Sequence, residues 1–199
     1  MIGMGDGSDS TRTVHGKAAL ALGVSMSLVF SVAWIAAVAV DGTWTFGADM
    51  VSDLGVSETH AHYFFGWGSI VAGALGSLCA VCLYMGHEGR VGRAAFVLLF
   101  LSGLMLVLVG AFNEDTAPHT PAAVALFVMM WAAMIVLGLR DLRSGDAIEG
   151  SGHVTMAAFL FFAFLLNPLP LSEALAVICL LVWVPLVSYY AYSGVPGYS

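Results

Sequence analysis

Runs of about 20 apolar residues recur along this chain, separated by short polar connections, and about 20 is the length at which a helix crosses the hydrocarbon core of a bilayer. The pattern predicts six spans, over residues 17–40, 63–85, 94–112, 121–139, 153–167 and 172–192. The fifth is the shortest and is stopped by Asn167-Pro168-Leu169-Pro170, because proline ends a helix and restricts the residue before it. Spans five and six should therefore form a helical hairpin with a tight turn. Pro185 removes one backbone bond from the sixth span and should kink it.

Composition strengthens this reading. Hydrophobic residues make up 60% of the chain and charged residues 10%, with a mean hydropathy of +0.93; a soluble domain carries about 25% charged residues. No polar stretch exceeds about 20 residues, short of the ~50 that a small appended domain needs. The expected architecture is all-α and polytopic: a tail over 1–16, a transmembrane domain over 17–192 and a second tail over 193–199. The first apolar run exceeds the ~7–15 residues of a signal-peptide core, so it counts as a retained span although Ala37-Val38-Ala39 resembles a cleavage site.

Charge supplies an orientation. Arg12, Lys17, Arg90, Arg93, Arg140 and Arg143 all fall on one side of the six-span layout, the side that the positive-inside rule makes cytoplasmic. Both tails are then cytoplasmic, in what reads as a prokaryotic cell membrane. Asp6, Asp9, Glu88, Asp141, Asp146 and Glu149 balance those cations. On the other side sit Asp41, Asp49, Asp53, Glu58, Glu114, Asp115 and Glu173, with His60, His62 and His119 and no lysine or arginine, so the net charge of −7 resides on the external face. A salt-tolerant acidic surface and a cation-binding mouth both fit that distribution.

Within the spans the chemistry is sparse. No ionisable residue sits at the middle of a span, which argues against a proton-coupled carrier. Ser69, Gly73, Gly76 and Ala80 form a stripe of small residues for helix packing, and Ser27 and Ser31 suit hydrogen bonding between helices. Cys79, Cys82 and Cys179 read as small apolar packing residues, since burial suppresses thiolate character. Trp44 and Phe46 at one end and Tyr189, Tyr190 and Tyr192 at the other suit interfacial belts. Phosphate loops, nucleotide fingerprints, serine elbows and basic nucleic-acid stripes are absent, so membrane lipids, a membrane partner or a second copy of the chain are the expected partners, and nucleic acid is not.

Two external segments carry the remaining chemistry. One runs from Ser52 and Asp53 through His60 and His62 into span two; the other holds Asn113, Glu114, Asp115 and His119. A short connection makes spans two and three neighbours, which should bring these segments together as a candidate pocket. Three readings follow. Asp53 with Ser52 caps a short helix or binds free loop amides, and Asn113 and Asp115 cap their own turn. His60, His62, His119 and Asp53 hold Zn²⁺ for lipid hydrolysis, although His60 and His62 do not share a helix face. Or the mouth binds a lipid headgroup, a small cation or a partner without chemistry. The favoured expectation is a lipid-facing binding or structural protein without a cofactor; a metal-assisted lipid hydrolase and a small-solute or cation transporter or channel are the alternatives.

The same segments carry a likeness. Ser52-Asp53-Leu54-Gly55, a second span opening Tyr63-Phe64-Phe65-Gly66-Trp67-Gly68-Ser69, and Phe112-Asn113-Glu114-Asp115 followed by His119 resemble the membrane family called domain of unknown function 998. The resemblance spans essentially the whole chain. It implies the six-span layout and signature positions Ser52, Asp53, Leu54, Gly55, Phe112, Asn113, Asp115 and His119, and no established activity. The chain departs from the pattern at Asn113-Glu114, where a proline-containing turn is expected.

The orientation generates a direct test. On a cysteine-free background, a cysteine replacing Ser57 or Ala117 should react with an impermeant thiol reagent applied to intact cells, and one replacing Gly145 only after lysis. External labelling at residue 145 would reverse the assignment.

Overall fold

The computed structural model describes residues 6–195 and Tyr198. Six helices follow one another: α1 (Asp6–Asp41), α2 (Ala61–Gly86), α3 (Arg90–Ala111), α4 (His119–Ser144), α5 (Ala147–Leu166) and α6 (Leu169–Ser193), with a 3-10 helix (Ser52–Gly55) between the first two. All six are long and apolar enough to cross a membrane. Among the described residues the only β pairing is an isolated bridge between Phe46 and Asp49.

The helices extend beyond the apolar runs, furthest at two places. Helix α1 begins at Asp6, inside the segment read as a tail, and α5 begins at Ala147 rather than 153. Hydropathy marks only the part of a helix that faces hydrocarbon, whereas i→i−4 bonding continues past that boundary wherever the backbone geometry is retained. The α5–α6 turn is as tight as its prolines require. Helix α5 stops at Leu166, Pro168 precedes α6, and Pro170 sits in the first turn of α6, where no intrahelical donor is missed.

Each helix packs on the next, and α6 returns to α1 and touches α2, closing the ring. The thinnest contact of that ring is between α5 and α6. The core runs through Met26, Phe30, Phe65, Leu99, Leu126, Met130 and Trp183. Facing outward are Leu28, Val32, Ile35, Trp67, Leu78, Phe162 and Leu165, an apolar coat suited to lipid. Alternation of direction puts every basic position at one end (the basic end) and the α1–α2, α3–α4 and α5–α6 connections at the other (the acidic end).

Small residues set the helix spacing. A Cβ on Gly73 would lie 2.6 Å from the Gly103 carbonyl oxygen, and one on Gly110 would lie 2.5 Å from that of Gly66. Helices α2 and α3 therefore touch backbone to backbone. The predicted stripe is buried as a whole but serves two neighbours. Gly73 and Ser69 face α3, while Gly76 faces Met26 of α1. Helices α4 and α5 meet in the same way near the basic end, where a Cβ on Gly150 would stand 2.7 Å from the Leu142 amide and 3.0 Å from the Gly138 carbonyl.

Ser27 of α1 makes the interhelical bond expected of it, and the acceptor explains why. Its hydroxyl donates to the Leu181 carbonyl at 2.8 Å, the acceptor that Pro185 leaves without an i+4 donor. In hydrocarbon such a carbonyl must find a partner inside the protein. All three cysteines are free. Cys79 packs with its sulfur 3.2 Å from Ser188 Oγ and 3.4 Å from the Ala19 carbonyl.

Gly73→Val should cost roughly 1–3 kcal/mol through overpacking. Gly152→Ala, where an added Cβ meets nothing within 4 Å, should be neutral or stabilising by about 0.5–1 kcal/mol. Unfolding of both variants in detergent measures the difference, and equal behaviour would remove close packing as the origin of α2–α3 stability.

Candidate functional site

The acidic end is built on one loop, residues 42–60. Carboxylates organise it by accepting main-chain N–H groups. Asp41 accepts from the amides of Thr43 and Trp44 at 3.1 and 2.8 Å, and also from the hydroxyls of Thr43 and Ser57 at 2.7 and 2.6 Å. Asp49 accepts from the Thr45 amide at 2.7 Å, and Asp53 from the Met50 amide at 2.7 Å. Glu173, just past the first turn of α6, accepts from the Val51 amide at 2.7 Å and from both the amide and hydroxyl of Ser52. Much of the unpaired negative charge of this end is therefore consumed by free donors of irregular backbone.

Asp53 thus binds a loop amide, as the structural reading expects, but the division of labour differs. Val51 occupies the cap position of the 3-10 helix and makes no side-chain cap bond. Ser52 is buried and turns to Glu173 and Glu114. Asn113 and Asp115 are exposed. The turn they flank is closed by the Thr116 amide and hydroxyl, which donate to the Asn113 carbonyl at 3.0 and 2.6 Å.

Glu114 is the residue of this loop that turns inward. Its carboxyl group lies within hydrogen-bond reach of Asp53 and Ser52 and beside His119, so the two external segments do meet. Burial, and then the neighbouring Asp53 carboxylate, push Glu114 above the ordinary glutamate value. Its Oε2 is buried and has no hydrogen-bond partner among the described residues. His119 is buried, with Nδ1 2.8 Å from the Phe112 carbonyl. A carbonyl only accepts, so Nδ1 carries the hydrogen and, in the neutral ring, Nε2 is left as an acceptor.

His60 and His62 are placed apart from that group by their contacts. His60 is exposed beside Tyr63, with ring centroids 6.0 Å apart. His62 directs Nδ1 at the carbonyls of Thr59 and Ser57, at 2.5 and 3.1 Å. Among the described residues no three His, Cys, Asp or Glu side chains are grouped so as to hold a metal ion.

A groove of about 640 Å³ opens below the polar group. Ser52, Glu114, His119, Thr120 and Glu173 stand at its acidic end. Its walls are apolar, with Val124, Phe127, Val128 and Trp131 from α4 facing Leu160, Phe161 and Phe164 from α5. The groove exists because α4 and α5 touch at Gly138 and Gly150 and again where Trp131 Nε1 donates to the Ala157 carbonyl at 2.9 Å, and the other lining residues of the two helices lie beyond that point. Glu173 and the apolar walls were not among the sequence-derived pocket residues. The available signal for Glu173 was an acid without a cation one turn past the Pro168–Pro170 break.

A second polar centre is buried at the basic end. Arg140 pairs with Asp141, and Asp141 Oδ2 accepts the Tyr198 hydroxyl at 3.0 Å. His153 Nε2 lies 2.6 Å from that hydroxyl, and its Nδ1 accepts the Trp183 indole N–H at 2.9 Å. Arg140 also reaches His87 Nε2 at 3.0 Å and stacks 4.5 Å over the Tyr198 ring. Burial, then Arg140, push His87 down to about 4, so it is a neutral acceptor. Burial and then the Asp141 carboxylate push the Tyr198 phenol up. The network ties Tyr198, read from sequence as part of a free tail, to α4 and α5.

Six apolar helices, a lipid-suited coat and charged groups confined to the two ends define a multi-pass integral membrane protein. The chain belongs to the family described as Protein of unknown function (DUF998), whose family model matches residues 24–190. No curated protein and no solved structure matches it.

The raised Glu114 group fixes the sign of a pH effect. A carboxyl that binds its proton more tightly folded than unfolded withdraws stability as pH rises from its unfolded value, here 4.5, through its folded one. Wild type should therefore lose thermal stability relative to Glu114→Gln as pH is raised above 4.5, and the two curves should run parallel below it. Melting curves across pH in one detergent measure this; a gain for wild type would exclude burial and Asp53 as the cause.

Proposed function

We propose that this protein binds an amphiphile from the outer leaflet of a prokaryotic cell membrane, with the acidic end outside and both termini cytoplasmic. The observation that carries the proposal is the groove itself, an apolar trough between α4 and α5 that ends at Ser52, Glu114, His119 and Glu173. Its volume, about 640 Å³, falls within the ~300–1,000 Å³ of small-molecule sites. Such a trough matches a molecule that is apolar along most of its length and polar at one end. Val124 and Val128 line the trough and are more than half exposed, so an alkyl chain can reach it sideways from hydrocarbon. The orientation rests on the basic positions collected at the opposite end.

Binding, rather than hydrolysis, is the reading that the geometry favours. Asp53 and Glu173 are engaged with loop amides, as the supports of a fixed binding surface would be. The test is the lipid content of protein purified in mild detergent, measured by extraction and mass spectrometry. Wild type should retain an amphiphile near one per chain, and Val124→Trp, which fills the trough from its exposed side, should lose most of it. Equal retention by the two proteins would overturn the proposal.

A further inference from the structure

The polar end of the groove is one-sided in its hydrogen-bonding chemistry. Glu114 and Glu173 bring carboxyl oxygens, and His119, whose Nδ1 hydrogen is given to the Phe112 carbonyl, leaves Nε2 as the acceptor of its uncharged form. The Ser52 hydroxyl is already directed at those carboxyl groups. No lysine or arginine occurs at this end of the chain. Glu173 and Asp53 have main-chain donors, whereas Glu114 Oε2 is buried without a partner. A buried acceptor left unpaired is destabilising, so a ligand that supplies both a donor and a positive charge is the complement of this surface.

We infer that the amphiphile held in the groove carries a primary ammonium head with no anionic group beside it, and that Glu114 is its principal partner. This rests on the binding role proposed above and names the chemistry of the occupant. The geometry discriminates among cationic heads. A quaternary ammonium has no N–H to give Glu114 and is recognised by aromatic faces. On α4 the first aromatic side chain of the groove is Phe127, eight residues past His119 and hence about 12 Å along the helix, and Phe164 of α5 packs against it with ring centroids 5.9 Å apart. A phosphate next to the amine would face Glu114, Glu173 and Asp53 with no guanidinium or ammonium side chain to receive it, which disfavours a zwitterionic aminophospholipid. An ammonium beside Glu114 would also offset the burial and the Asp53 repulsion that hold its carboxyl above the usual range.

The experiment uses full-length protein in detergent micelles and radiolabelled hexadecylamine, hexadecyltrimethylammonium and hexadecanol as probes, which share one chain and differ in head. Wild type should retain hexadecylamine about tenfold or more tightly than either of the others, the value of one charge-assisted hydrogen bond. Glu114→Gln should remove that preference, bringing hexadecylamine retention down to that of hexadecanol in the same variant. Comparison of the three probes on wild type decides the matter even if the variant folds poorly. Equal retention of all three, lost in Val124→Trp, would overturn the ammonium assignment and leave the groove as a lipid site. A trimethylammonium probe held as tightly as the primary amine would overturn the requirement for a donor. If no probe is retained, or if Val124→Trp retains them as wild type does, both the assignment and the binding role fall.

Discussion

Contact between helix backbones at glycine governs the rest of this molecule. Lipid tails are as apolar as leucine, so burying side chains between helices gains little from the hydrophobic effect, and close approach with many dispersion contacts must take over. At Gly66, Gly73, Gly103 and Gly110 helices α2 and α3 have no room for a methyl group. At Gly138 and Gly150 the same holds for α4 and α5. The first set lies in the half of each helix nearest the acidic end, so that pair is closed there. The second is confined to the basic end, so α4 and α5 are fastened there and enclose a groove farther along. The shape of the candidate site follows from where the glycines are.

Polar chemistry obeys the complementary constraint. Main-chain groups and charges cannot be left unpaired in hydrocarbon, and each end of the bundle solves this with its own kind of partner. At the acidic end irregular backbone has spare N–H groups, and Asp41, Asp49, Asp53 and Glu173 accept them. Because Glu173 belongs to α6 and its donors to the loop before α2, one carboxylate fixes the roof of the groove to its far wall. At the basic end the partners are side chains: Asp141 sits between Arg140 and Tyr198, and His153 links Tyr198 to Trp183. Even inside the span the rule is visible, where Ser27 serves the carbonyl released by Pro185.

Glu114 stands out against that economy. Its neighbours Asn113 and Asp115 are exposed, and the carboxylates around it have donors, yet its Oε2 is enclosed without one. A group that is raised in pKa by burial and by a like charge, and that lines a groove, has the character of a binding residue more than of a structural one. That contrast, set beside the absence of lysine and arginine at this end, is what gives the groove a chemical preference.

Hydropathy alone determined the six helices, their order and the segregation of charge, because a bilayer imposes a length and a polarity on each span that local sequence must display. It also displayed Ser52, Asp53, Glu114 and His119 as neighbours, since a short connection between α2 and α3 leaves few alternatives. Three things were decided only by the tertiary structure. His60 and His62 belong to the loop around Ser57 rather than to the His119 group, because side-chain direction at a helix start depends on where the chain enters it. Glu173, distant in sequence, reaches Val51 through a helix contact that no local pattern announces. The groove, finally, is made by the separation of two helices, and a one-dimensional pattern of apolar residues looks the same whether those residues face lipid, a neighbouring helix or a ligand.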